Sequence, residues 1–130
     1  MTASDSHILV KHLADHLVVN SPTCGKIHDI LKTGDYTPLG LAISINIKPT
    51  QAHYHRTFDE IYFVLDGQMK LQVYDPTNNQ THTYELKANE LCVITKGLHH
   101  KILEASTQNR LCVISTPPFH SDDEHLSDKI

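Results

Sequence analysis

The chain is 130 residues long, carries a net charge of −4, and is 39% hydrophobic and 20% charged, which suits one folded domain with a single core and not a disordered segment. With no Lys/Arg cluster, nucleic acid and anionic membranes are not expected as its main partners. No apolar run approaches the ~18 residues a spanning helix needs, and the start, MTASDSHILVKH, lacks the basic and apolar parts of a signal peptide, so the expected location is the cytoplasm.

Residues 1–38 read as an N-terminal extension. HILVKHLADHLVV fits a strand pair or an amphipathic helix, and KIHDILKTGD fits a helical turn or a strand ending at Gly34. From Leu39 onward, short apolar runs alternate with turn residues. LGLAISINI (39–47) stops at Lys48-Pro49, EIYFVLD (60–66) meets Gly67, and QMKLQVYD (68–75) follows at once. The Asp66-Gly67 step predicts a hairpin between those two runs, because glycine accepts the positive φ of a tight turn. DPTNN (75–79) is a second turn before QTHTYEL (80–86). ELCVIT (90–95), KILEA (101–105) and RLCVIST (110–116) complete the series. Many β-branched residues and closely spaced turns predict an all-β sandwich or barrel. Residues 118–130 are polar and acidic without periodicity, and read as a tail or a loosely docked segment.

Two residue types bear on chemistry. The three cysteines, Cys24, Cys92 and Cys112, form no C-x-x-C pair, so neither a zinc ribbon nor a disulfide framework is indicated. Cys92 and Cys112 both sit in LCVI and read as small buried hydrophobes. Histidine is abundant, at eleven, and scattered.

The informative segment is His53-Tyr54-His55-Arg56-Thr57-Phe58-Asp59-Glu60. In a strand, residues two apart share a face, so His53 and His55 present both imidazoles to one side. A reversal over the next four residues can return the Glu60 carboxylate beside them. Two neutral nitrogens and one anionic oxygen suit a divalent transition metal. By itself H-x-H also fits two solvent-facing histidines on a ribbon. A third imidazole comes from Asn89-Glu90-Leu91-Cys92-Val93-Ile94-Thr95-Lys96-Gly97-Leu98-His99-His100, where a strand, a glycine turn and a histidine opening the next strand lead back to the same interior.

These two stretches resemble the two motifs of the cupin superfamily over about residues 39–116. The first motif runs roughly G-x5-H-x-H-x4-E-x6-G, and the H-x-H, Glu60 and Gly67 fall at its intervals. The second runs roughly G-D-x4-P-x-G-x-x-H-x3-N, with Gly97 and His100 in register. Ile47 stands where the first motif opens on glycine, Asn89-Glu90 replaces Gly-Asp, Thr95 replaces proline, and Leu103 or Glu104 takes the final Asn position. These departures touch turns and not ligands. The resemblance implies a double-stranded β-helix, or jelly-roll, barrel over 39–117, with His53, His55, Glu60 and His100 as metal ligands. Gly-x-x-His spacing selects His100 over His99, and alternation then sends His99 outward to solvent or a partner. Inward parity at Glu60 extends to Tyr62 and Val64, and at His100 to Ile102. Tyr62 reads either as a contact to the site or as a core tyrosine. Gln51 and Arg56 flank the first motif near a pocket mouth. His7, His12, His16, His28, His82, His120 and His125 belong to no such constellation.

The flanking text SPTCGKIHDIL, DEIYFVLDGQMKLQV and STPPF is similar to small single-domain cupins labelled as mannose-6-phosphate isomerase-like. The expected cofactor is one divalent transition metal: Fe, Mn, Ni or Zn. Three functions are compatible with it. The first is a metal-dependent oxidoreductase or isomerase acting on a small organic substrate, of dioxygenase, isomerase or cyclase type. The others are a non-catalytic ligand-binding or sensory cupin, and a dimer that the metal only staples. A homodimer is implied by the resemblance, with the apolar N-terminal segment available to cover an edge or swap.

Overall fold

The computed structural model of the chain describes residues 8–15, 18–21 and 25–130. His7, His16 and Cys24 lie outside the described residues. A short 3-10 turn at Leu13–Asp15 precedes strands β1 (Val18–Ser21), β2 (Gly25–Leu31), β3 (Gly40–Ile45), β4 (His53–Tyr54), β5 (Asp59–Asp66) and β6 (Gln68–Asp75). Strands β7 (Gln80–Lys87), β8 (Leu91–Ile94), β9 (His99–Ala105), β10 (Arg110–Thr116) and β11 (His125–Leu126) follow, with a second 3-10 turn at Ser121–Asp123. Two antiparallel sheets result, ordered β1-β2-β3-β10-β5-β8 and β11-β4-β9-β6-β7. This is the all-β jelly roll expected from the sequence. Among the described residues no helix is long and apolar enough to cross a membrane.

Alternation builds the core. On β5 the residues Glu60, Tyr62 and Val64 are buried, while their neighbours Ile61, Phe63 and Leu65 are only half-buried. On β10, Leu111, Val113 and Ser115 pair across the ladder with Val64, Tyr62 and Glu60, so both strands face inward with the same parity. The opposite sheet contributes Met69, Leu71, Leu86 and Ile102 to the same cluster. The apolar residues therefore meet between the sheets, and Glu60 and Ser115 mark where this interior turns polar.

The predicted hairpin at Asp66-Gly67 is not formed. β5 pairs with β10 and β8, and β6 pairs with β7 and β9, so Gly67 is the corner where the chain leaves one sheet for the other. The glycine is required for another reason than a tight hairpin. Its φ is +80, and a Cβ there would lie 2.5 Å from both the Gln108 carbonyl oxygen and Ser106 Oγ. After the corner the backbone bonds to the 105–109 loop: Gln68 N–H donates to Ser106 Oγ, and Ser106 N–H donates to the Gln68 carbonyl. The turn at 75–79 does join a true hairpin, β6 to β7.

The segment KIHDILKTGD resolves to a strand, β2, which adds to the sheet beside β3. The expected tail behaves differently from its composition. From Pro118 the chain crosses back over the barrel, and β11 pairs His125 with Tyr54 and Leu126 with His53. Asp123 is buried despite its charge. Polar composition there reflects hydrogen bonding to the site loop and not freedom in solvent.

Candidate metal centre

Each of the four expected residues is placed by a different strand entry or exit. His53 begins β4 and lies directly opposite His100 on β9. His55 follows β4, and the chain then reverses through Arg56 and Thr57 to bring Glu60 onto β5. Gly97, at φ +91, turns β8 back toward β9, and its N–H donates to the His55 carbonyl at 2.7 Å, tying the two motif loops together. Asn89, where the second motif has glycine, holds φ +72. Asparagine tolerates that left-handed region, so the departure from the motif preserves the turn.

His53, His55, Glu60 and His100 come together with one ligand atom from each within 4.8 Å of the others, all buried. Glu60 Oε1 sits 2.9 Å from His55 Nε2 and 3.0 Å from His100 Nε2. The far side of every ring is anchored on a backbone carbonyl. His53 Nδ1 lies 3.2 Å from Gln51 O, His55 Nδ1 2.8 Å from Asp123 O, and His100 Nδ1 3.1 Å from Leu98 O. A carbonyl oxygen only accepts, so each Nδ1 carries a hydrogen and each Nε2 is turned to the centre as the potential ligand.

These contacts test whether a metal fits. His53 Nε2 is buried without a hydrogen-bond partner, a condition that among the described side chains it shares only with His28 Nδ1 elsewhere in the fold. An orphaned imidazole nitrogen aimed at a carboxylate and two further imidazoles is the donor set of a 3-His/1-Glu transition-metal site. The residues present fit a divalent ion.

The electrostatics agree. Burial, with the neighbouring His100 charge, pushes His53 down to about 3, so it stays neutral and able to donate a lone pair. Burial also disfavours charge on His55, but its hydrogen bond to Glu60 and the Glu60 charge outweigh this and raise it above its ordinary value. Burial likewise works against ionised Glu60, yet the hydrogen bonds from His100 and His55 hold it well below the usual carboxylate range. A carboxylate oxygen flanked by two Nε2 atoms needs a cation between them, and a proton on His55 fills that role when no metal does.

Asp123 was not singled out by sequence and is the main support of the site loop. Its carboxylate accepts from Arg56 N–H at 2.9 and 3.1 Å, Thr57 N–H at 2.8 Å and the Thr57 hydroxyl at 2.5 Å. Burial raises this carboxyl, but those donors bring it well below the ordinary aspartate value. The same residue's carbonyl orients His55. Phe58, 1% exposed, stacks on the His55 ring at 4.1 Å and packs edge-on against Phe119. Nothing in an acidic, aperiodic SDDEH run announces this.

Glu60 also borders a cavity of about 260 Å³, lined by residues of β1, β2, β3 and β10 and by Phe119, Ser121 and Glu124. Burial lifts Glu124 above the ordinary glutamate range, with Glu60 adding to the effect and His55 and His100 opposing it.

Of the other expected residues, Tyr62 is 2% exposed in the core cluster, its ring centroid 6.0 Å from that of His100. His99 does point away from the centre, yet it is not solvent-facing. It is buried, stacked on Tyr54 at 4.2 Å and bonded to Ser127 Oγ at 2.6 Å, because the C-terminal segment covers that face. Gln51 and Arg56 are exposed. Arg56 lies over the Tyr54 ring and lines an outer groove, and neither residue reaches the cavity at Glu60. Cys92 and Cys112 are half-buried, and burial pushes the Cys92 thiol up to about 11 and raises Cys112 as well. His82 and His120 are exposed, and His125 pairs with Asp123 at 3.1 Å.

At the level of sequence, no protein-family model and no curated protein matches this chain. Solved structures are similar in fold. A protein from Planctomyces limnophilus is 25% identical with a TM-score of 0.75, over 93% of this chain and 98% of that one. Oxalate decarboxylase from Bacillus subtilis is 12% identical with a TM-score of 0.75, and the 91% of this chain that aligns spans only 32% of the enzyme. Ectoine synthase from P. lautus is 19% identical with a TM-score of 0.69, covering 86% of this chain and 80% of its own.

Proposed function

The chain has the cupin fold, and from that premise we propose that it is a metal-dependent enzyme acting on a small organic molecule held beside one divalent transition ion. The observation that carries this reading is that Glu60 belongs at once to the four-residue cluster and to the wall of the 260 Å³ cavity. A metal that only stapled the barrel needs a closed site, whereas here one residue of the set, Glu60, also borders a space. His53, His55, Glu60 and His100 hold the ion. When bound, it supplies Lewis acidity or a place for dioxygen, which accommodates isomerase, cyclase or dioxygenase chemistry. The chain's own contribution is to fix three imidazoles by their Nδ1 contacts, keep His53 neutral, and shut bulk water out with Phe58 and the C-terminal segment.

Pairing of two copies is part of the proposal. Ile8, Leu9 and Val10, which precede β1 in the chain, are 76%, 57% and 85% exposed, an apolar segment suited to a second copy. Sedimentation of the full chain against Leu9→Asp tests it.

Elemental analysis of untagged protein beside His53→Ala and His100→Ala tests the centre. One equivalent of Fe, Mn, Ni or Zn is expected in the wild type and a loss of most of it in each variant. Equal metal in all three overturns the site. Irving–Williams preferences let the commonest metal load in a recombinant host, so turnover after reconstitution with each ion identifies the working one. Ligand binding without turnover for any ion would make the protein a binding module instead.

A further inference from the structure

The outer face of one sheet is apolar where the outer face of the other is polar. Alternation turns every second residue of β5, β8 and β10 away from the core, and the ladders align those residues in rows. Leu91, Phe63 and Cys112 form one row, and Val93, Ile61 and Ile114 the next. The first row continues through Ile43 and His28 to Val18 at the far edge of the sheet. Leu91, Val93 and Val18 are 55%, 56% and 47% exposed, while Phe63, Ile61, Cys112 and Ile114 are half-buried. Neither row carries a Lys, Arg, Asp or Glu. Charge stands at the strand ends, where Asp66 pairs with Arg110 and Asp59 accepts from Lys96 N–H.

The second sheet supplies the comparison. The matching rows on its outer face are Glu85, Lys70 and Glu104, then Thr83, Gln72 and Lys101, with Lys70 and Glu104 ion-paired at 3.3 Å. That is what an antiparallel sheet facing water carries. The sequences differ in the same way. QMKLQVYD alternates, whereas EIYFVLD, LCVI and RLCVIST run apolar through both parities, the pattern of strands covered on both faces. One sheet of this barrel is therefore suited to a cover on its outside.

Area and charge decide what covers it. The six strands present about 600 Å² in projection, at ~3.4 Å per residue and ~4.8 Å between strands. A stable interface takes about 800 Å² of accessible surface from each partner, a size that side chains rising out of that plane approach. A twisted sheet packs well on another of the same twist ~10 Å away. A two-fold axis through the face then sets apolar rows on apolar rows, and leaves no charge in the middle that needs a complement.

We infer that two copies of the chain pair face to face through the outer surface of the six-stranded sheet, with β5, β8 and β10 at the centre of the contact. The inference rests on the pairing of two copies proposed above and not on the metal. It names the sheet face, beyond residues 8–10, as the surface that carries the pairing.

Sedimentation of the full chain from ~1 to ~200 µM reads the association, with metal content measured on the same samples. Leu91→Lys and Val93→Lys are the variants. Both positions are already more than half exposed in the single chain, so folding is retained. Lysine moves the negative net charge toward zero, so overall repulsion does not explain any dissociation. Each variant is expected to weaken the dimer at least ~100-fold by placing an unpaired charge in the contact, with metal uptake unchanged. Site-resolved alkylation separates face packing from strand addition at an edge. Cys112 lies on β10, an interior strand, and is expected to react about tenfold more slowly in the dimer than in the lysine variants. Cys92 shares the inward parity of Tyr62 and keeps its rate. A dimer that survives both substitutions, or one that forms without protecting Cys112, overturns the inference and leaves pairing by another surface standing. A wild type that stays monomeric up to ~200 µM overturns the inference and the pairing together. Dimerisation as expected in protein that takes up no metal would strike the metal centre alone.

Discussion

Replacing Asp123 by alanine isolates how far the C-terminal segment governs the centre. The carboxylate accepts from two backbone amides and a hydroxyl of the 56–57 turn and pairs with His125, so the change strips four contacts from one point. Hydrogen bonds to a charged group contribute about 1.5–3 kcal/mol each where water is excluded. Arg56 and Thr57 are exposed, so water substitutes in part, and a total loss of about 2–3 kcal/mol is expected. The backbone carbonyl that orients His55 survives the substitution, so any effect on the ion arises through displacement of the turn. Such displacement of a supporting contact costs metal affinity about 10–100-fold. Denaturant unfolding of the metal-free protein measures the first quantity, and competition with a chelating dye measures the second. The pH dependence supplies a further check. Because Asp123 is held below its ordinary value, the wild type's advantage is present above about pH 4 and lost as pH falls toward the depressed folded value. Asp123→Ala with unchanged unfolding, unchanged metal affinity and the same acid profile would refute the account of the segment as a support.

Other perturbations probe the frame. Gly67→Ala places a Cβ against the Gln108 carbonyl and Ser106 Oγ at a positive φ, and is expected to cost about 2–4 kcal/mol in urea unfolding; a loss under 1 kcal/mol would show that the corner yields. Asn109→Ala removes the side chain that accepts from Ile47 N–H and donates to Ile47 O and Ser106 O at 1% exposure. It is expected to cost about 2–4 kcal/mol by orphaning buried backbone groups, and unchanged thermal unfolding would contradict it. Metal uptake should weaken with acid. His55 has a raised pKa, so below that value it holds a proton that a metal must displace, and affinity falls about tenfold per pH unit for the one proton released. A flat affinity profile from pH 8 down to pH 5 would mean that no histidine proton competes.

Much of this was legible in the chain because its signals are local. Alternation on β5 and β9 set inward parity, and Tyr62, Val64 and Ile102 follow it with 2%, 0% and 2% exposure. The H-x-H step, Glu60 and Gly97-x-x-His100 converge as their spacing implied. What failed at Gly67 is instructive in physical terms. Asp-Gly reports that the chain turns with positive φ, but not which strands will then bond. Both runs bury one face, and facing sheets satisfy that better here than one shared ladder, so the turn becomes a corner. His99 was read outward by parity, correctly for its own strand, but parity does not say what later covers a face.

The three histidines of the cluster show the same division within the site itself. His53 Nδ1 is held by the carbonyl of Gln51 and His100 Nδ1 by that of Leu98, each two residues back along the chain. Those two rings are oriented by the short approach to their own strands. His55 Nδ1 is held by Asp123, 68 residues away, and the turn that carries it is fixed by the same residue's carboxylate. Of the three imidazoles, His55 is therefore the one whose ring is held directly by residues 118–130, while His53 meets that segment through the pairing of β4 with β11. Glu124, one residue beyond that anchor, faces the cavity. A segment that is polar in composition thus orients one histidine of the cluster and supplies one wall of the adjoining space, so loosening it should weaken metal affinity chiefly through His55, with His100, held by the Leu98 carbonyl, least affected.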